Sequence, residues 1–163
     1  MSLKESMTAL RMSQVIDQKA FTVLSNEVDK RQVIATLVQS LANNKKFTAD
    51  KAAEIIEGAM AREAIGSTGI GHGIAIPHCR TPHVKEIVCA YGSSSAGIDF
   101  DSLDGEPVHS VFLLLTPPDQ KEHHLTLMKS FASQIRKEHF CEFLHQISAV
   151  QPLIDLLNEF EAR

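Results

Sequence analysis

The chain has no tryptophan and a single tyrosine, and aromatic residues fill only 6% of its 163 positions. A core short of large aromatic side chains must rest on Ile, Leu, Val, Ala and Met. Cysteine is scarce as well. Cys79, Cys89 and Cys141 form an odd count with no CxxC spacing, which argues against a disulfide framework and for a reducing compartment, the cytoplasm. Long apolar runs are missing. A membrane helix needs about 20 apolar residues, whereas the run at residues 111–115 has the length of a buried strand. The first eleven residues hold no sustained apolar stretch, so no signal peptide is expected. Positive charge is not in excess: 16 Lys and Arg stand against 20 Asp and Glu, a net charge of −4. A nucleic-acid binder would show a basic stripe, so nucleic acid is not expected as a partner, and neither is direct membrane insertion. An acidic balance suits a basic protein partner, because complementary charge speeds encounter.

The chain does have an ordinary globular composition, 44% hydrophobic and 22% charged, in a length that fits one domain. Residues 1–12 read as a loosely ordered N-terminal arm and residues 13–163 as the domain, with a short helical turn near 13–17. A β-rich stretch at 20–24 predicts a strand. Ile34, Leu37, Val38 and Leu41 recur at helical spacing and predict a helix over 27–42, capped by Ser25 or Asn26. A second helix is predicted over 49–65. Thr48 is its candidate cap, Ala52, Ile55, Ile56, Ala59 and Met60 form its stripe, and Gly66 ends it as a C-terminal glycine commonly does. Strands are predicted at 73–76, 86–92, 97–100 and 109–115, the last apolar enough to be covered on both faces. Further helices are predicted over 121–137, with Leu125, Met128, Phe131, Ala132 and Ile135 as the stripe, over 140–147, and from 148 onward. Strands interleaved with covering helices make this an α/β protein, a three-layer α/β/α single domain.

The middle of the chain changes character. Residues 66–73 contain four glycines and no charge. Glycines let backbone N–H groups approach an anion, but they serve a tight turn equally well, and alone they favour the turn. A P-loop needs GxxxxGK[ST] entering a helix, and no lysine comes after these glycines. A dinucleotide fingerprint needs a strand before the glycines and a helix after them; here the order is reversed. A phosphate at this segment therefore does not belong to a bound nucleotide. Beyond the glycines stands His78, directly after Pro77 at a strand end. Proline fixes one backbone angle and restricts its neighbour, so the histidine sits on stiff backbone. A neutral imidazole nitrogen is a nucleophile near neutral pH and can carry a phosphoryl group as a reactive N–P bond. Transfer then requires positioning and charge stabilisation. A histidine with purely structural hydrogen bonds is the plain alternative.

The ordered stretch Arg62-Glu63-x-x-Gly66-Ser67-Thr68-Gly69-Ile70-Gly71-x-Gly73-Ile74-Ala75-Ile76-Pro77-His78 closely resembles the IIA component of the bacterial phosphoenolpyruvate-dependent phosphotransferase system. The class is the fructose–mannitol one, which includes the nitrogen-regulatory IIA proteins. Asp99-Phe100-Asp101, Asp104-Gly105-x-Pro107-Val108, residues 111–116 and Pro118-x-x-x-x-x-His124-Leu125 extend the likeness to roughly residues 13–160. The wording is nearest to the nitrogen-regulatory and fructose-like branches. The resemblance implies a mixed central sheet with helices on both faces and a phosphotransferase working through phosphohistidine. It implies phosphorylation of His78 at Nε2, with His124 beside it as a donor to the phosphoryl group and Arg62 close by. Ser67, Thr68, Gly69, Gly71 and Gly73 would form the phosphoryl loop. The implied partners are an HPr-type phosphocarrier, charged by enzyme I, and a IIB component or a regulatory target; no metal and no organic cofactor is implied. His123 would take the role of His124 if the register shifted by one. Cys79 stands where a small residue is common and His72 where a polar one is; the first reads as a harmless small side chain, the second as a solvated loop residue.

Two other readings compete. His72, His78, Cys79, His83 and Cys89 cluster in sequence, with His123 and His124 further on, and zinc takes such ligands. Neither CxxC nor HExxH spacing is present, however, and Cys89 lies in an apolar strand. Alternatively, the chain is a regulatory module that binds partners without physiological transfer, its phosphorylation serving as a switch, since nearly two added negative charges could change which partner it binds.

Overall fold

The computed structural model describes residues 10–161. Most of the expected arm, residues 1–9, lies outside the described residues. Residues 10–12, also placed in the arm, instead join the fold: Leu10 packs on the core, and Met12, 1% exposed, opens helix α1 (Met12–Val15). Strand β1 (Ile16–Val23) comes next and begins four residues earlier than its β-rich segment indicated.

Helix α2 (Lys30–Asn43) starts three residues later than predicted because its cap is Asp29. The Asp29 carboxylate accepts from the Gln32 amide at 2.9 Å, satisfying a helix-end N–H that Ser25 and Asn26 are too far upstream to reach. A single 3₁₀ turn (Ala49–Lys51) leads into α3 (Ala52–Ile65), and Thr48 makes no side-chain capping bond there. Gly66 ends α3 with φ near 174°, an extended backbone open to any residue. The α3 glycine that matters is Gly58, where a Cβ would stand 2.7 Å from the Cys79 sulfur.

The glycine segment is not an irregular loop. Strands β2 (Gly69–Gly71) and β3 (Ile74–Ala75) form an antiparallel hairpin. Strand β4 (His78–Arg80) starts directly after Pro77. The predicted strands at 86–92 and 97–100 are one element, β5 (Val88–Ile98), whose pairing shifts register between Ser93 and Ile98. Strand β6 (Val108–Thr116) pairs antiparallel with β5 on one side, and parallel with β3 and then β4 on the other. The sheet has six strands in the order β1-β5-β6-β3-β2, with β4 off that path. It is mixed, as the resemblance implied.

Side-chain alternation along β6 divides the core. Val111, Leu113 and Leu115 pack with α2 and α3; Phe112 and Leu114 face the opposite side, covered by α1, α4 (Lys121–Ile135), α5 (Phe140–Leu144) and α6 (Val150–Glu161). All five of these β6 side chains are 0% exposed, as a strand covered on both faces should be. The result is the three-layer α/β/α arrangement. The few aromatics are concentrated in one layer, contrary to an aliphatic core throughout. Tyr91–Phe112, Phe112–Phe131, Phe131–Phe140 and Phe140–Phe160 form an edge-to-face chain with centroids 4.8–6.2 Å apart, a geometry the aromatic quadrupole favours. Helix α4 buries Leu127, Phe131 and Ile135, while Leu125, placed in its stripe, is 56% exposed beside His124.

Candidate functional site

The parallel register across β6 carries through Pro77. Ile74 and Ala75 lie opposite Ser110 and Val111, and His78, Cys79 and Arg80 opposite Leu114, Leu115 and Thr116. Between the two short strands the Pro77 carbonyl accepts from the Leu114 amide at 2.9 Å. Because β4 borders only β6, the donor that proline lacks breaks no second ladder. Partners in register point to the same face. His78 therefore stands on the Leu114 side, toward α4, while Cys79 turns to the other face against Gly58 of α3.

The His78 ring is held by its own backbone: Nδ1 lies 2.9 Å from the Ile76 carbonyl oxygen. A carbonyl only accepts, so Nδ1 carries the proton and Nε2 keeps a free lone pair. Burial, chiefly, and the positive charges of Arg62 and Arg80 push the His78 pKa below the ordinary imidazole value, against the Ile76 bond and the Glu63 carboxylate, which raise it. The ring is thus neutral near pH 7.

Helix α4 brings His124 to His78, with ring centroids 5.2 Å apart and planes inclined at 52°. Thr116 Oγ1 lies 2.8 Å from His124 Nδ1. Burial first, then His78 and Arg80, lower the His124 pKa to about 4. His123 points elsewhere: it lines a cleft with Gln14, Ile16 and Gln120. Arg62 lies in the last turn of α3, where its Nη1 donates to the Gly66 carbonyl at 2.8 Å, as a cation at a helix C-terminus readily does.

The remaining residues of the expected phosphoryl loop are committed elsewhere. Ser67 Oγ donates to the Phe100 carbonyl and accepts from the Gly69 amide. Thr68 donates both its amide and its hydroxyl to the Glu63 carboxylate. Gly71 and Gly73 flank the hairpin turn, and Gly73, opposite the start of β6, is displaced from His78 by five residues along the register, about 16 Å at the usual rise. The structure therefore brings His78 and His124 together, sets Arg62 near enough to act on the His78 titration, and folds the glycine segment into a braced hairpin. His72 sits in that turn with φ 58°, its amide on Asp104 and its carbonyl accepting from His145.

Three neighbours were not read from the sequence. Glu63 is buried and anchors Thr68; Lys30 pairs with it at 3.2 Å, which offsets the cost of a buried charge. Thr116 fixes the His124 ring across a Pro-Pro turn, a contact with no local signal. Arg80 shares the His78 face by alternation, a signal that was present once residues 78–80 are taken as strand. The residues that suggested a metal site are spread apart: Cys89 is fully buried, His83 pairs with Glu54 at 2.7 Å, and among the described residues no three His, Cys, Asp or Glu side chains converge. Also among the described residues, no helix is long and apolar enough to cross a membrane.

The family described as "Phosphoenolpyruvate-dependent sugar phosphotransferase system, EIIA 2" matches residues 14–160. A nitrogen regulatory protein of Pseudomonas aeruginosa is 31% identical over 91% of this chain and 95% of its own length. The fructose-specific EIIABC component of Bacillus subtilis is 28% identical over 93% of this chain, which spans only 24% of that protein. The crystal structure of nitrogen regulatory protein IIA-Ntr from Neisseria meningitidis superposes with a TM-score of 0.80 at 26% identity, covering 90% of this chain and 98% of that one. With its helix–hairpin–His78 order intact and nearly its whole length matched, the chain belongs to the EIIA type 2 family of the phosphoenolpyruvate-dependent sugar phosphotransferase system.

Proposed function

We propose that His78 accepts a phosphoryl group on Nε2 from an HPr-type phosphocarrier and passes it to a IIB component or holds it as a regulatory mark. The observation that carries this reading is the His78 Nδ1 bond to the Ile76 carbonyl, which leaves Nε2 unprotonated in a ring whose centroid lies 5.2 Å from that of His124. In the transfer step the Nε2 lone pair forms a bond to phosphorus as the donor's N–P bond breaks, and that electron pair returns to the donor imidazole. No metal, redox partner or organic cofactor enters the balance, and the exchange belongs to the cytoplasm. In this reading the Thr116 hydroxyl, 2.8 Å from His124 Nδ1, donates to it, which is the tautomer that puts the ring proton on Nε2, where it can be offered to a phosphoryl oxygen. Arg62 reaches the same group on releasing the Gly66 carbonyl. Transfer of this kind depends almost wholly on such positioning and charge stabilisation.

The regulatory use draws support from the likeness to the Pseudomonas nitrogen regulatory protein over 95% of that protein's length; the transport use draws it from the fructose-specific relative. Incubation with phosphoenolpyruvate, enzyme I and HPr should label the protein with one acid-labile phosphate, and His78→Ala should abolish the label. A label that persists in His78→Ala overturns the assignment. Passage of the group from the labelled protein to a IIB protein separates the two uses: an acceptor supports transport, none supports regulation.

A further inference from the structure

Arg80 lies two residues beyond His78 in β4, so alternation puts both side chains on the α4 face of the sheet. Its register partner on β6 is Thr116, the residue whose hydroxyl meets His124 Nδ1. The pairing is firm, since the next amide, Thr81, donates to the Thr116 carbonyl at 2.9 Å. Arg80 is therefore adjacent to both members of the histidine pair by strand geometry. Its positive charge depresses the pKa of both imidazoles. It is exposed, and among the described residues it makes no ion pair. Arg62, by contrast, is tied to the Gly66 carbonyl and comes from the helix on the other face of the sheet.

Resting on the reading that His78 is phosphorylated, we propose that the Arg80 guanidinium closes on the phosphoryl oxygens at His78 Nε2 and is the cationic ligand of that group on the α4 side. A guanidinium presents two parallel N–H donors matched to two phosphoryl oxygens, and a strand position two residues from the nucleophile holds it in reach without helix movement. Because the group would sit between Arg80 and His124, the negative charge arriving on His78 meets a fixed cation on one side and a neutral N–H donor on the other.

The test uses the full chain, phosphorylated by phosphoenolpyruvate, enzyme I and HPr and then separated from them. A ³¹P titration of the phosphohistidine in wild type and in Arg80→Gln should show the phosphoryl second ionisation raised by about one pH unit in the variant. The phosphoryl distribution between HPr and the chain should shift about tenfold toward HPr. Arg80→Lys should recover part of the shift, because it keeps the charge and loses the two-point geometry. An unchanged ³¹P titration in Arg80→Gln overturns the proposal even if transfer slows, since an arginine that only docks the partner would alter KM and leave the isolated phosphoprotein unaffected. Absence of any phosphohistidine signal in wild type overturns the His78 reading along with it, so the two failures are told apart in one experiment.

Discussion

The molecule holds two histidine pairs at opposite ends of β6, alike in outline and different in chemistry. His78 and His124 stand 5.2 Å apart between centroids; His109 and His145 stand 5.8 Å apart, inclined at 60°. In the second pair the nitrogens are largely spoken for. His145 Nε2 donates to the His72 carbonyl at 2.7 Å, and its Nδ1 accepts from Ser110 Oγ at 3.0 Å, which in turn accepts from the Tyr91 hydroxyl at 3.0 Å. His109 Nδ1 donates to the Ser94 carbonyl at 2.8 Å. Gly73 makes room for this arrangement: at φ 74°, a Cβ there would stand 2.8 Å from His145 Nε2. The first pair ties each ring by one nitrogen, as His109 is tied, but unlike the second it has arginines close enough to shift the titration of both rings. A histidine pair is thus not a site by virtue of being a pair. The neighbouring cations distinguish the first pair, and His145, bonded through both nitrogens, braces the turn of the hairpin that leads to His78.

The largest expected contrast is kinetic. His124→Asn should slow phosphoryl uptake from HPr by about 100-fold, the lower range for loss of a positioned proton donor. His145→Asn, at the ring bonded through both nitrogens, should leave the rate at the wild-type level. Stopped-flow transfer measurements on both variants check it; equal slowing would mean that the hairpin brace, and not the free nitrogen, governs the chemistry.

The next contrast is in stability and runs the other way. His145→Ala leaves the buried Ser110 hydroxyl without its acceptor and should cost about 1–3 kcal/mol in denaturant unfolding, with no change in transfer. Ser110→Ala added to it should cost less than the sum of the two single changes, because both act on one hydrogen-bonded chain. Strict additivity would break the claim that Ser110 and His145 act as a unit.

Legibility in the sequence depended on which interactions are local. The α2 stripe and β6 were readable because Ile34, Leu37, Val38 and Leu41, and the run at 111–115, state their period within a few residues. The family likeness around Pro77 and His78 was readable because the motif is a continuous run of residues. The hairpin at 69–75 was not, since glycine-rich sequence looks alike whether its amides are free or paired. Asp29 lost to Ser25 and Asn26 as a cap because boundaries rest on one hydrogen bond. Arg80 was hidden because the strand was expected to end at His78 and not to run on to Arg80, and Thr116–His124 by the Pro117–Pro118 break, which returns the chain across space in a way no short window shows.

The smallest effect is in the pH dependence of folding, and its sign comes from the same neutral rings. His124 titrates in the folded chain near 4, below the roughly 6.5 of an unfolded histidine; His78 and His145 are shifted in the same direction, mainly by burial. Well above pH 6.5 these rings are neutral in both states and contribute no pH dependence. As the pH falls below 6.5 the unfolded chain binds protons that the folded chain refuses, so stability declines. For His124 the decline ends near pH 4, once the folded ring is protonated too. Carboxylates titrate across part of this window, so the informative quantity is a difference between chains. His124→Asn should unfold with a shallower loss of stability between pH 6.5 and 4 than wild type, and the two curves should run parallel above pH 6.5. The effect is modest because His124 is partly open to solvent, which screens its neighbours' charges. His145→Asn should flatten the curve as well, since burial lowers that ring in the same way. Identical slopes for wild type and His124→Asn would mean that the ring takes up protons like an ordinary histidine, and the case for a neutral His124 beside His78 would be lost.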